Sequence, residues 1–149
     1  MRLDKFTIKS QEALAAAQQL AGQLEHQQIE PEHLLLAIAR QEEGIAQSIL
    51  KKLGAEPRVI EAKVNEALGK LPKVSGYGAG EVYLSSRSKK ILDAAEKEAQ
   101  RLNDDYVSIE HLLIGIVEAT DTQAARILAG FGVTKDALFK ALTEIRGSQ

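Results

Sequence analysis

Glu32-His33-Leu34-Leu35 and Glu110-His111-Leu112-Leu113 are the same four residues in the same order. They anchor a longer register. Laying residues 6–68 on residues 84–146 without a gap puts Leu14 on Leu92, Ala17 on Ala95, Ala21 on Ala99 and Leu24 on Leu102. Ile38 then meets Ile116, Ile49-Leu50 meets Ile127-Leu128, and Gly54 meets Gly132. The chain is a tandem duplication. Its unit is longer than a solenoid repeat of roughly 20–50 residues. It therefore reads as one supersecondary unit copied once and packed on its copy. A functional surface should lie between the copies, or occur twice.

Each unit reads as four helices. The first runs from about Thr7 to Leu24, because Leu14, Ala17, Ala21 and Leu24 recur on one helical face. Thr7 is placed to cap it, and Ser85 to cap its copy, each hydroxyl taking a first-turn N–H. The second starts at Pro31, a residue suited to a first helical position. Leu34-Leu35-Leu36-Ala37-Ile38-Ala39 is apolar all round, as is its copy Leu112 to Val117, capped by Ser108. Such segments are buried on most sides and should form the centre of each half. The third helices, Ile45 to Leu53 and about Thr122 to Phe131, stop at Gly54 and Gly132, which can take the left-handed cap conformation. The fourth helices enter at Pro57, carrying Ile60, Val64 and Leu68, and at Thr134, carrying Leu138, Leu142 and Ile145.

The expected fold is all-α, eight helices in two repeats related by a pseudo-two-fold axis, forming one domain over residues 1–149. Repeat one covers about 6–71 and repeat two about 84–146. The stretch between them, about 72–82, holds Pro72, Ser75, Gly76, Gly78 and Gly80 and reads as a linker. From Arg146 the pattern is lost, so the domain should end there.

Composition narrows the function classes. Of 149 residues, 44% are hydrophobic but only 4% aromatic, so the core is aliphatic and helical in character. With 19 basic and 21 acidic residues, evenly divided between the halves, no basic footprint for nucleic acid is present. No cysteine is available for a disulfide or thiolate site. No apolar run reaches the roughly 20 residues of a membrane span. A cytoplasmic helical domain with neither nucleic-acid nor membrane partners is expected.

Candidate chemistry is sparse. A phosphate loop needs Gly-x-x-x-x-Gly-Lys-Ser/Thr, so that backbone amides and lysine surround the phosphates. Gly76-Tyr77-Gly78-Ala79-Gly80 is followed by Glu81, and Gly69-Lys70 by Leu71, so neither qualifies. His26, His33 and His111 lack the four-residue spacing of a zinc protease helix. The repeated histidines fit a helix-start side chain bonding a neighbour. Glu32 and Glu110 sit in the first turn of the inner helices, where an acid complements the helix dipole. Their alternative role is to recognise an amine, lysine or arginine. Catalysis, metal binding and a cofactor in this chain are not expected.

The chain also resembles a known family along nearly all of its length. The resemblance rests on Met1-Arg2-Leu3-Asp4-Lys5-Phe6-Thr7, on Ile29-Glu30-Pro31-Glu32-His33-Leu34-Leu35, and on Leu71-Pro72 with its glycine-rich strap. It rests further on Tyr106-Val107-Ser108-Ile109-Glu110-His111-Leu112-Leu113 and on the close Glu144-Ile145-Arg146-Gly147-Ser148-Gln149. These are similar to the N-terminal repeat domain (Clp N, or Clp R) of the Clp/Hsp100 AAA+ chaperones, and to its protein-disaggregating branch in particular. The resemblance implies a binding module of a longer, hexameric, ATP-driven chain that threads aggregated polypeptide through a central pore with the Hsp70 system. ATP and magnesium would belong to modules outside this domain. The domain itself, monomeric when isolated, would engage unfolded or aggregated polypeptide and pass it to the pore. The rival readings are an adaptor-docking domain of a Clp-protease unfoldase, or a stand-alone adaptor.

By residue, the resemblance implies a polar substrate site at Thr7, Asp104 and Glu110, and a peptide groove at Ala94, Glu98 and His111. The duplication adds an expectation of its own. Carried from repeat two to repeat one and back, the polar set becomes Ser85, His26 and Glu32, a second pseudo-equivalent cluster across the same interface.

Overall fold

The computed structural model describes residues 3–74 and 81–147. After a single 3-10 turn at Leu3–Lys5, repeat one consists of α1 (Ile8–Gln23), β1 (Gln28–Ile29), α2 (Pro31–Ala39), α3 (Ile45–Lys52) and α4 (Pro57–Gly69). Repeat two consists of β2 (Tyr83–Leu84), α5 (Ser86–Arg101), α6 (Ile109–Glu118), α7 (Gln123–Gly130) and α8 (Lys135–Gly147). Among the described residues the fold is all-α, with eight helices. The middle of the linker, residues 75–80, lies outside the described residues.

Helix ends follow the residues that cap them. Thr7 accepts the Ser10 N–H at 3.1 Å and Ser85 accepts the Ser88 N–H at 3.1 Å, so the two outer helices begin alike. Thr122 starts α7 and Thr134 starts α8 by the same bond. Gly54 and Gly132 take φ of +79° and +78° after α3 and α7. α8 continues through Gly147, past the expected boundary at Arg146. The amphipathic pattern fades there because the last turn leaves the core, while the backbone stays helical.

All nine residues of α2 are buried, and α6 is buried over most of its length. These two inner helices meet each other, while α1 covers α2 and α5 covers α6. Buried side chains of both repeats form a single cluster, from Phe6 and Leu35 to Leu112 and Leu142. Neither half therefore has a core of its own. Gly115 on α6 faces α5 so closely that a Cβ there would stand 2.8 Å from the Ile91 carbonyl oxygen.

Two short parallel pairings stitch the halves together. Phe6 pairs with Val107, and β1 pairs with β2 through Gln28 with Tyr83 and Ile29 with Leu84. These are images of one another under the duplication. Thr7 N–H donates to the Val107 carbonyl at 3.0 Å, and Ser85 N–H to the Ile29 carbonyl at 3.1 Å. Ser88 Oγ adds a buried bond to the same Ile29 carbonyl at 2.7 Å.

Candidate functional site

The turn after each outer helix decides where the polar side chains go. Glu25 and Asn103 take left-handed φ of 59° and 58°. His26 N–H then reaches back to the Ala21 carbonyl and Asp104 N–H to the Ala99 carbonyl, both at 2.8 Å. This is the six-to-one bond that closes a helix through a left-handed residue. It aims residue 26 at His33 and residue 104 at His111.

In repeat two, the Ser108 N–H donates to His111 Nδ1 at 2.9 Å. The opposite ring nitrogen, Nε2, then carries the proton and donates to Asp104 Oδ2 at 2.8 Å. Arg146 Nη2 donates to the same oxygen at 2.9 Å and lies 4.0 Å from Glu110 Oε2. The Glu110 carboxylate also takes the Ser108 hydroxyl. Partial burial raises the Asp104 carboxyl, but hydrogen bonds from Arg146 and His111 outweigh it and hold Asp104 below the ordinary carboxylate range. Asp104, Glu110, His111 and Arg146 thus form one charged network. Arg146 is the member that sequence reasoning missed.

In repeat one the same positions are spent differently. The Glu30 N–H donates to His33 Nδ1, and His33 Nε2 faces His26 Nδ1, both at 2.8 Å. Both rings can be neutral. Burial, with a smaller effect of His26, pushes His33 down to about 4 from 6.5. The unfolded ring takes a proton near 6.5 and the folded ring only near 4, so the unfolded chain binds more protons between those values. Stability should fall by on the order of 3 kcal/mol from this ring as pH drops from 6.5 to 4. An NMR titration of the ring should give a midpoint near 4, and a midpoint at the ordinary histidine value would contradict it.

Glu32 is buried and its Oε2 accepts the Ala124 N–H at 2.8 Å, so it caps α7 of the other repeat. Ser85 is buried in its own cap. Ser85 and Glu32 are thus each bonded at a helix start, Ser85 to Ser88 N–H and Glu32 to Ala124 N–H, while His26 bonds His33 and borders an opening with Gln28, Glu30 and Pro72.

Thr7 lies beside Val107 through its backbone, and its hydroxyl is used within α1, donating to Ser10 Oγ at 3.0 Å. It borders the segment 104–110 rather than joining the charged network. The expected groove residues divide. His111 is 1% exposed and presents no surface to a peptide. Glu98 is also buried and pairs with Arg101 at 2.8 Å, while Arg101 lies over the Phe139 ring. Ala94 is half-buried.

An open groove lies on another face of α5. A groove of about 850 Å³ runs along Lys89, Asp93, Glu96 and Gln100. One wall is Tyr83 and Leu84 of β2, and the other is Lys5 with Asp105, Tyr106 and Val107. It therefore spans both inter-repeat pairings. Asp104 is the corner that the groove shares with the charged network. Tyr83 is 65% exposed and Tyr106 56%, in a chain with only three tyrosines and three phenylalanines.

Among the described residues, no group of three or more His, Cys, Asp or Glu could hold a metal ion. Gly69 ends α4 and Lys70 is its C-cap, where outward carbonyls disfavour a phosphate. No described helix is long and apolar enough to cross a membrane.

Two interlocked helical repeats, with polar groups held in caps and an open groove beside the paired strands, define a duplicated all-helical domain. A family model, the Clp repeat (R) N-terminal domain, matches residues 5–131. The chain belongs to that family, as an N-terminal domain of the ClpB/Hsp100 chaperones, a binding domain and not an ATPase module. It is 38% identical to the chaperone protein ClpB of Nitratidesulfovibrio vulgaris, over 100% of this chain and 18% of that protein. The chain thus spans under a fifth of the length of this relative. Among solved structures it resembles the Hsp104 N-terminal domain from Candida albicans, with a TM-score of 0.82 and 27% identity over 97% of this chain and 93% of that one. The ClpV N-domain in its complex with VipB peptide shares the fold, with a TM-score of 0.75 and 17% identity over 95% and 86% of the two chains.

Proposed function

We propose that this domain captures unfolded or aggregated polypeptide at the surface joining the repeats, beside Thr7, Asp104 and Glu110, and delivers it to the AAA+ pore of a longer parent chain. The observation that carries this reading is the groove across both inter-repeat pairings, edged by two exposed tyrosines. An extended chain has unpaired backbone groups and exposed apolar side chains, and such a groove offers partners to both. The peptide-bound ClpV N-domain supports peptide binding by the shared fold. The parent would be a cytoplasmic homohexamer that holds ATP and magnesium in its other modules and works with the Hsp70 system.

The groove is open and mixed in polarity, so capture should be weak and tolerant of sequence. A Kd on the order of 10–100 μM, roughly −5.5 to −7 kcal/mol, is expected. Several copies on one ring would raise the effective affinity. Fluorescence anisotropy of a labelled, permanently unfolded polypeptide tests this. The wild-type domain should saturate in that range, and the Asp104→Asn/Glu110→Gln pair should bind several-fold more weakly. An absence of binding at millimolar domain would sink the reading and favour docking of a folded adaptor.

A further inference from the structure

The turns that follow the two outer helices are copies, but they differ in what lies on them. Glu25-His26-Gln27-Gln28 in repeat one falls on Asn103-Asp104-Asp105-Tyr106 in repeat two. Each turn opens on its left-handed residue, Glu25 at φ 59° and Asn103 at φ 58°. In repeat two, Asp104, Asp105 and Tyr106 line the open groove of about 850 Å³. Among the described residues, no N–H reaches the Asn103 carbonyl. In repeat one, the chain leaving α4 returns over the same place. The Val74 N–H donates to the Glu25 carbonyl at 2.8 Å. Leu71, Pro72 and Val74 leave a cavity of only about 170 Å³ beside His26, Gln27 and Gln28.

The way this strap is held suits an occupant rather than a part of the core. Leu71 is half-buried and packs against the shared interior, while Pro72, Lys73 and Val74 stay exposed. Lys73 lies near enough to act on the His26 ring. Burial, and after it the Lys73 charge, hold that ring below the ordinary histidine value, with Glu30 acting the other way. Leu71 and the Val74 bond anchor the strap at the surface, so its local opening costs far less than global unfolding. The duplication explains why one copy alone is covered. Helices α4 (Pro57–Gly69) and α8 (Lys135–Gly147) are images of one another, and the strap is the segment that follows α4 on its way to β2.

We propose that Leu71–Val74 is an internal occupant of repeat one's copy of the groove, an autoinhibitory strap that keeps a second polypeptide site shut. The inference rests on the reading that polypeptide is captured beside Asp104, and adds that the domain holds that site twice, once open and once closed. Lifting the strap frees the Glu25 carbonyl for an N–H and the seat of Leu71 for an apolar side chain. The opened copy suits a segment like the strap itself, apolar at its first and last positions.

A peptide of residues 70–75, Lys-Leu-Pro-Lys-Val-Ser, is the probe. The Leu71→Ser/Val74→Pro variant loses the apolar anchor and the N–H donor of the tethered strap. In NMR titrations the peptide should shift the amides of residues 25–28 about fivefold more in this variant than in wild type, where the tethered strap competes at high effective concentration. Leu71→Ser alone changes one half-buried surface residue and should speed exchange of the Val74 amide about tenfold. With an unfolded, apolar-rich polypeptide, wild type should bind one segment and the double variant two. Equal peptide shifts in wild type and double variant, a wild-type Val74 amide without protection, or a double variant that still binds one segment overturns the inference. If the polypeptide moves residues 104–110 in that case, capture stands and only the shut copy falls. If the peptide binds the opened copy while the polypeptide moves nothing at 104–110, capture falls and the strap keeps its assignment as an occupant.

Discussion

Gly115→Val should destabilise the domain by about 3 kcal/mol or more, and Gly115→Ala by ~1–3 kcal/mol, because both add atoms where two helices touch. A Cβ at this position would lie 2.8 Å from the Ile91 carbonyl oxygen and 3.3 Å from Ile91 Cγ2. The first contact is backbone, so no rotamer change relieves it; α5 and α6 must separate. That movement would loosen the interior around Leu112, Leu113 and Ile114. It would also shift the Asp104 turn at the end of α5. Ala37 stands at the corresponding place on α2 and is buried there, so repeat one accommodates a methyl group that repeat two does not. Gly22 is the control. It lies in α1 with nothing within 4 Å of its added Cβ, and Gly22→Ala should be neutral or stabilising by up to ~1 kcal/mol. Urea unfolding of the three variants measures the difference. A Gly115→Val variant as stable as wild type would mean that α5 and α6 are not packed as described.

Glu32→Ala should cost ~2–3 kcal/mol, whereas Glu32→Gln should be as stable as wild type at pH 7, or more so. The carboxylate accepts the Ala124 N–H inside the interface between the repeats. Truncation leaves that buried donor unpaired, at about 1–3 kcal/mol, and opens a small void besides. Glutamine keeps the accepting oxygen and removes a charge that burial makes unfavourable. Burial raises the Glu32 carboxyl above its ordinary value, and the bond from Ala124 only partly offsets this. A raised carboxyl favours folding below its unfolded value and loses that contribution as pH climbs through the folded one. The wild type should therefore gain on Glu32→Gln as pH falls from the raised folded value to the ordinary glutamate value, and gain nothing further below it. If both variants lose equally at pH 7, the ionised charge itself is what holds the repeats together.

The contrast between Glu32 and Glu110 shows where the sequence stops being informative. Both follow the same pattern in the same turn, and the duplication makes them equivalents. Their roles diverge because Glu32 meets an amide 92 residues away, while Glu110 meets Ser108 and stands near Arg146. Nothing local encodes either partner. Arg146 escaped notice for the same reason, since its bond to Asp104 spans 42 residues. The helix starts at Thr7, Pro31 and Ser85 were legible because a cap is decided within three or four residues. The stops at Gly54 and Gly132 were legible because a left-handed turn selects glycine. The inter-repeat pairings were not. A strand of two residues has no alternation to detect, and Gln28-Ile29 and Tyr83-Leu84 read as ordinary flanks of helices. The groove depends on those pairings, so its position could not be seen from the chain alone. The family resemblance led to Ala94 and Glu98 on α5 and His111 on α6, of which Glu98 is buried and paired with Arg101 and His111 is buried and bonded to Asp104.

Capture of unfolded chain at the junction of the repeats is tested most directly by NMR titration of the labelled domain with an unfolded, apolar-rich polypeptide. The account predicts weak, saturable shifts confined to Lys5–Thr7, Tyr83–Leu84, the outer face of α5 and Asp104–Glu110. Absence of shifts, or shifts centred on the far surface of α3 and α4, would contradict it.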